Sequence, residues 1–277
     1  MNPMGSGMQE RRNLVFVGGL HRSGTTPLAR AIASHPDVSG LSGTGVPEDE
    51  GQHLQDVYPK IRAYGGMGRF ANHKMAHLTE TSPLVSEANA QRLLRSWEPY
   101  WDLGRTYLLE KSPSNLIMGR FLQGLFPGSA MIVVIRHPIV VALALQKWNP
   151  RLISRNGRRH TSMTDLVAHW VLAHELLRED SAFLNRLHVM RYEDLVADPP
   201  GQLEPVQHLI GLKTPIPSDA FRKDQSAKYQ EQWEAMASGR HLQRRQRRVI
   251  EQRFSEAVRI FGYDVADLSV SPSWSLT

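Results

Sequence analysis

The chain has 277 residues, enough to bury one large core, and its 33 Lys and Arg against 27 Asp and Glu leave a formal charge of +6. That balance suits anionic ligands in general, nucleotides and nucleic acids among them, while the absence of cysteine excludes disulfides, thiolate catalysis and Cys-based zinc sites. The N-terminus lacks the apolar core of a secretory signal and the longest apolar runs, such as Ile139 to Leu145, are too short to span a bilayer, so a soluble, cytoplasmic protein with no membrane span is expected.

In chain order, the first predicted strand covers 13–18, where Val15, Phe16 and Val17 form a continuous apolar run suited to burial on both faces. A Gly/Ser/Thr-rich turn follows, and then a helix over 26–34 that carries Leu28, Ala31 and Ile32 at helical spacing and stops at His35-Pro36. Strand, glycine turn and helix N-terminus together make a phosphate cradle. Gly19 and Gly24 have the G-x-x-x-x-G spacing of the triphosphate loop, but Thr25 stands where that loop carries lysine. The hydroxyls of Ser23, Thr25 and Thr26, with Arg22, suit a smaller anion held without a metal.

Ser39 to Gly51 is rich in turn residues and Ala63 to Gly68 is a second glycine cluster; both are expected to be loops walling a site. Glu48, Asp49 and Glu50, with His53 just beyond, offer candidate proton acceptors, although an acidic turn capping a helix reads the same way. A helix beginning at 50–55 would put Glu50 and His53 on one face. Further helices are predicted at 85–97, 115–123, 138–148, 163–179 and 200–210, and strands at 106–110, 131–136 and 187–191. Ser162 and Asp165 form a capping box for the helix at 163, in which His169 and His174 are five apart and structural. His73 and His77 have metal-ligand spacing but no third ligand, so no metal site is expected. Residues 212–240 carry no clear pattern. In the basic run from Arg240 to Arg253, Leu242, Val249, Ile250, Phe254, Val258 and Phe261 recur at helical spacing, which favours a C-terminal helix with a solvated Arg face over a nucleic-acid site. Alternating strands and helices imply a parallel sheet covered on both faces, with ligands at the strands' carboxyl ends.

R-S-G-T-T after a strand resembles the 5′-phosphosulfate loop of sulfotransferases that use 3′-phosphoadenosine 5′-phosphosulfate (PAPS). Three further segments resemble the same family: M-I-V-V-I-R-H-P, with Arg136 at its strand end; Y-L-L-E-K-S-P-S-N at 107–115; and H-V-M-R-Y-E-D-L at 188–195, taken as a strand in which Tyr192 and Glu193 are scaffold. The resemblance implies an α/β, P-loop-like three-layer fold with a central parallel sheet flanked by helices. It is expected as one domain over 13–265, between a flexible N-terminus at 1–12 and a tail at 266–277. PAPS is the implied co-substrate, with no metal required. Arg22, Ser23, Gly24, Thr25 and Thr26 would hold the 5′-phosphosulfate and Arg136 the 3′-phosphate. The serine that the family carries eight residues after that arginine is Ala144 here. Lys228 in K-Y-Q-E-Q-W resembles a late lysine on the nucleotide, beside which Trp233 could stack. Lys111 and Arg22 would assist transfer, and Glu50, with Glu48 and His53 as alternatives, would deprotonate the acceptor.

The acceptor group would be a hydroxyl or an amine, on a small molecule, a carbohydrate or a peptide. Tyr64, Phe70, Trp97, Trp101 and Trp148 read equally as an aromatic pocket or as core. A small-molecule kinase using ATP is the rival enzyme class, disfavoured by the missing lysine; a non-catalytic nucleotide- or nucleic-acid-binding module is the other alternative.

Overall fold

A computed structural model gives the structure of residues 13–148, 161–219, 221 and 226–276. Five strands, β1 Leu14–Gly18, β2 Val38–Gly40, β3 Tyr107–Lys111, β4 Ala130–Ile135 and β5 Leu187–Arg191, form one sheet in the order β2-β3-β1-β4-β5. Every pairing is parallel; Val15 of the central strand lies opposite Leu109 on one side and Ala130 on the other.

Because successive side chains leave a strand on opposite faces, the apolar runs feed two cores. Phe16, Met131, Val133 and Ile135 join one, while Val15, Val17, Ile132 and Val134 join the other. The second core is closed by α1 Thr25–Ala33, α6 Tyr192–Ala197 and α7 Pro199–Ile210, which contribute Leu28, Leu195 and Val206. The first is closed by α2 Glu87–Trp97, α3 Gly119–Leu125, α4 Pro138–Trp148 and α5 Met163–Ser181, and by α8 Ala227–Ser238 and α9 His241–Arg259. The result is the α/β architecture of a parallel sheet between two helical layers.

The sequence-based elements need five corrections. The stretch expected as loop from Ser39 begins inside β2, a three-residue strand too short to show a period. No helix starts at 50–55; Pro47–Asp49 and Gly51–His53 are separate 3₁₀ turns. The helix expected at 115–123 is a 3₁₀ turn over Pro113–Ile117 followed by α3. R-Y-E-D-L is not a strand beyond Arg191: Tyr192–Ala197 is helical, with Glu193 and Asp194 in its first turn where the helix dipole favours acids. Arg191 closes that junction through Nε to Asp194 Oδ2 at 2.7 Å. Within 212–240 lies α8, anchored by Trp233, whose indole N–H donates to Val265 O at 2.8 Å.

The capping box forms as expected, with Ser162 Oγ accepting from Asp165 N at 3.1 Å and Asp165 Oδ2 accepting from Ser162 N at 2.9 Å. His169 and His174 are buried: Ala71 N–H donates to His169 Nε2 at 3.3 Å, and His174 Nδ1 sits 2.7 Å from Trp170 O. On α9, Ile250, Phe254 and Val258 face the core while Arg244, Arg245 and Arg248 are exposed. Past α9, Val270 bridges to Tyr263, and Leu268 and Trp274 pack against the first core. The expectation for 1–12 lies outside the described residues. No helix among the described residues is long and apolar enough to cross a membrane.

Candidate active site

The turn between β1 and α1 is held in shape by positions that only glycine fits. Gly19 has φ +148° and a Cβ there would lie 2.4 Å from Val134 O; Gly24 has φ +103° and its Cβ would lie 2.3 Å from Tyr192 Cδ2. Between them Arg22 takes φ +72°, a left-handed conformation that costs a non-glycine residue energy, and Ser23 N–H closes the turn by donating to Leu20 O at 3.0 Å. α1 opens at Thr25 with no acidic residue in its first turn, so nothing of its own neutralises its positive end.

A cavity of about 750 Å³ opens beside this turn, lined by Arg22, Gly24, Thr25 and Thr26 together with Glu48, Glu50, His53, Arg136 and Lys228. Ser23 does not line it: the residue is fully buried, with Oγ unpartnered among the described residues. At the cavity's other wall Arg136, which follows β4, donates from Nη1 to Arg22 O at 3.2 Å and from Nη2 to Ser226 Oγ at 2.8 Å. Its guanidinium lies 4.2 Å over the Tyr192 ring, and Nε is buried without a partner among the described residues. Burial draws its pKa below the usual value, against the opposing influence of Tyr192, Glu193 and Tyr229. Lys228 is exposed at the start of α8, with Nζ 5.1 Å over Tyr229.

One expectation around this wall is overturned, and readings that the sequence left open are decided. Trp233 cannot stack on a ligand here, because it is fully buried in the core. Phe70, Trp97 and Trp101 are core too, whereas Trp148 lines the cavity, 6.0 Å from the Arg22 guanidinium. Ala144 faces the apolar core and not the cavity, at 2 % exposure, so the hydroxyl beside Arg136 belongs to Ser226. Ala144→Ser is therefore expected to leave nucleotide affinity unchanged and to cost roughly 1–3 kcal/mol in denaturant unfolding, the penalty of an apolar site for a hydroxyl. A tighter nucleotide complex in an isothermal titration would contradict this placement.

On the opposite wall the acids separate. Asp49 is spent on its own turn, accepting from Thr44 N at 3.0 Å and Thr44 Oγ1 at 2.6 Å, and those bonds hold its pKa down. Glu48 is exposed, at φ +52° and 3.6 Å from Arg30. Glu50 is the buried acid. Its Oε1 lies 3.4 Å from Lys111 Nζ, and its Oε2 accepts from Gln52 Nε2 at 2.7 Å and lies 3.5 Å from His53 Nε2. Burial is the largest single influence and disfavours the carboxylate, but His53, Lys111, His21 and Gln52 outweigh it and hold the pKa below the ordinary value. Glu50 and His53 thus meet as expected, across a 3₁₀ turn instead of an α-helix. Lys111, at the carboxyl end of β3, is nearly buried and reaches the cavity only through Glu50.

Sequence inspection missed the groups that fix this wall. Glu110 is fully buried and its Oε1 accepts from Gly51 N at 3.0 Å and Ser112 Oγ at 2.5 Å, while Oε2 accepts from Asn115 Nδ2 at 2.6 Å. Burial, opposed by the Ser112 and Asn115 bonds, pushes its pKa up to about 7. Ser112 Oγ in turn accepts from Gln52 N at 3.0 Å, so the end of β3 clamps the turn that carries Glu50. His21 was also missed, although its place between Gly19 and Gly24 was the available signal; it lines the cavity. Among the described residues no group of three or more His, Asp or Glu is placed to hold a metal ion, and His77 is instead bonded to Asp180 Oδ2 at 2.8 Å.

A model of the sulfotransferase family matches residues 14–215. Protein-tyrosine sulfotransferase 2 of Gallus gallus is 22% identical over 201 residues, covering 72% of this chain and 51% of its own length. Omega-hydroxy-beta-dihydromenaquinone-9 sulfotransferase Stf3 of Mycobacterium bovis is 24% identical over 196 residues, covering 68% and 49%. The chain thus spans about half the length of the curated relatives it matches. A sulfotransferase from Alicyclobacillus acidocaldarius superposes with a TM-score of 0.50 at 12% identity, covering 82% of this chain and 91% of that one, a likeness of fold.

Proposed function

The chain belongs to the sulfotransferase family, and from that premise we propose that it transfers a sulfuryl group from PAPS to a hydroxyl oxygen, with Glu50 as the proton acceptor. The observation that carries this is the convergence on one cavity of a glycine turn at a helix N-terminus, a buried arginine with an unpartnered Nε, and a buried carboxylate paired with a lysine.

The residues present fit the donor. The loop from Arg22 to Thr26 would hold the 5′-phosphosulfate through backbone N–H groups and the Thr25 and Thr26 hydroxyls; Arg136 would hold the 3′-phosphate, and Lys228 would neutralise the nucleotide from the open side. When bound, PAPS supplies an activated sulfuryl group whose leaving group is a phosphate. What remains for the protein is positioning, charge stabilisation and removal of one proton. Arg22, which lines the cavity at the loop, would offset charge developing on the leaving phosphate. Lys111 acts through Glu50, joining His53 in favouring the carboxylate against the influence of burial. Glu50, fixed by the Glu110 and Ser112 clamp on Gly51 and Gln52, is poised to take the acceptor's proton, with His53 as its neighbour. Two relatives are named for a protein tyrosine and for an omega-hydroxy menaquinone, so a hydroxyl is the acceptor group we assign.

The test is thermal stabilisation of the purified protein by 3′-phosphoadenosine 5′-phosphate, the desulfated donor, compared with ATP plus Mg²⁺ and with AMP. At 100 times its dissociation constant the bisphosphate is expected to stabilise the fold by about 2.7 kcal/mol, a shift of a few degrees. Stabilisation by ATP alone would overturn the assignment in favour of a kinase.

A further inference from the structure

We propose that His21 is a further catalytic residue, a neutral imidazole that donates its Nε2–H to a non-bridging oxygen of the transferring sulfuryl group. This rests on the sulfuryl-transfer function proposed above and adds to it a side chain outside the glycine, hydroxyl and arginine positions of the loop.

The argument begins from place. His21 immediately precedes Arg22 inside the Gly19–Gly24 turn, and it lines the same cavity as Arg22, Glu50 and His53. It belongs to the turn that would hold the phosphosulfate, and it is near enough to the Glu50 carboxylate for each to influence the other's pKa. The ring packs edge-on against Phe70 at 6.4 Å between centroids, and Phe70 is itself fully buried, so the imidazole is braced from behind.

Chemistry then fixes the role. Nδ1 is sealed from solvent and has no hydrogen-bond partner among the described residues, which leaves the other edge of the ring, Nε2, for the cavity. With no acceptor to hold a proton on Nδ1, the neutral ring carries it on Nε2 and offers a donor. Burial, opposed by Glu50 and reinforced by Lys111, His53 and Arg22, lowers the pKa to about 4, so the ring is uncharged at neutral pH. An uncharged donor suits this position. Sulfuryl oxygens only accept hydrogen bonds, and an imidazolium would add a further cation to a cavity already lined by Arg22, Arg136 and Lys228.

During transfer the bond between sulfur and the bridging oxygen breaks, with its electron pair leaving on the 5′-phosphate. The acceptor oxygen forms the new bond to sulfur and its proton passes to Glu50. His21 keeps its own proton throughout and contributes only the hydrogen bond, as an oxyanion-hole donor does.

The test compares two probes that differ only in the sulfuryl group. PAPS and 3′-phosphoadenosine 5′-phosphate are titrated calorimetrically against the wild type, His21→Ala and His21→Gln. His21→Ala is expected to weaken PAPS roughly tenfold or more while leaving the bisphosphate unchanged, and His21→Gln, which restores an N–H donor, to recover part of the loss. Where removal of the ring loosens the turn, His21→Leu keeps apolar bulk against Phe70 and the same comparison is made with it. Equal weakening of both ligands would show that His21 only shapes the loop, and no weakening of either would show that it does not reach the sulfuryl group; each overturns the proposal. A wild type that binds neither ligand is a separate result, which overturns the sulfuryl-transfer function and this proposal with it.

Discussion

Replacing Glu50 with Gln is expected to lower sulfuryl transfer by roughly 10²–10⁴-fold, the usual contribution of a positioned general base. The bisphosphate product should still bind with nearly wild-type affinity. The substitution keeps the shape of the side chain, and its carbonyl can still accept from Lys111, so most of the packing between β3 and the 47–53 turns survives. What it removes is the anion. The measurement is release of bisphosphate from PAPS across a panel of phenols and alcohols, with product binding determined in parallel. Because Glu50's pKa lies below the ordinary carboxylate value, the acid limb of the wild-type rate profile should fall below that value too. Activity is full above it, where Glu50 is ionised, and is lost as pH drops through it. A fully active variant would move the base to Glu48 or His53, which line the same cavity.

The glycine turn of this site was legible in the sequence because it is local. Gly19, Gly24 and Thr25 lie within one strand-turn-helix passage, and glycine spacing reports backbone geometry directly. The parallel sheet was legible for a similar reason, since Phe16, Val133 and their neighbours alternate between two cores and so leave uninterrupted apolar runs. The Glu50 wall was not, because its parts are joined across the chain: Lys111 reaches Glu50, and Glu110 and Ser112 hold the backbone of Gly51 and Gln52, some sixty residues away in sequence. Nothing in E-D-E shows which acid turns inward. In the structure the Thr44 bonds claim Asp49, solvent claims Glu48, and only Glu50 is left under the Glu110 clamp. Helix rotation was equally hidden. A pattern match places position 144 near the 3′-phosphate, yet α4 is apolar all round and turns Ala144 into the core. Ser226, from a stretch with no readable pattern, supplies the hydroxyl.

Arg136→Ala is expected to weaken 3′-phosphoadenosine 5′-phosphate by roughly a hundredfold, since charge-assisted hydrogen bonds contribute about 1.5–3 kcal/mol each and a guanidinium can make two to one phosphate. AMP, which lacks the 3′-phosphate, should lose far less, and the difference between the two nucleotides is the decisive quantity. The fold favours this outcome over a general loss of structure. Arg136 does not pair with a carboxylate: its Nη groups donate to Arg22 O and Ser226 Oγ, both neutral acceptors. Its positive charge, nearly buried above Tyr192, is therefore compensated by no ion pair among the described residues. A cation kept in so dry a place costs the free protein stability, and an anionic ligand recovers that cost. Truncation should consequently leave the thermal midpoint of the free protein near or above wild type while removing most of the stabilisation that the bisphosphate provides. Arg136→Lys restores the charge without the planar fork and should recover only part of the affinity. Equal losses for AMP and the bisphosphate would instead place Arg136 beneath the loop it bonds through Arg22, as a support for the 5′ end, and the 3′-phosphate would then have to be sought beside Lys228.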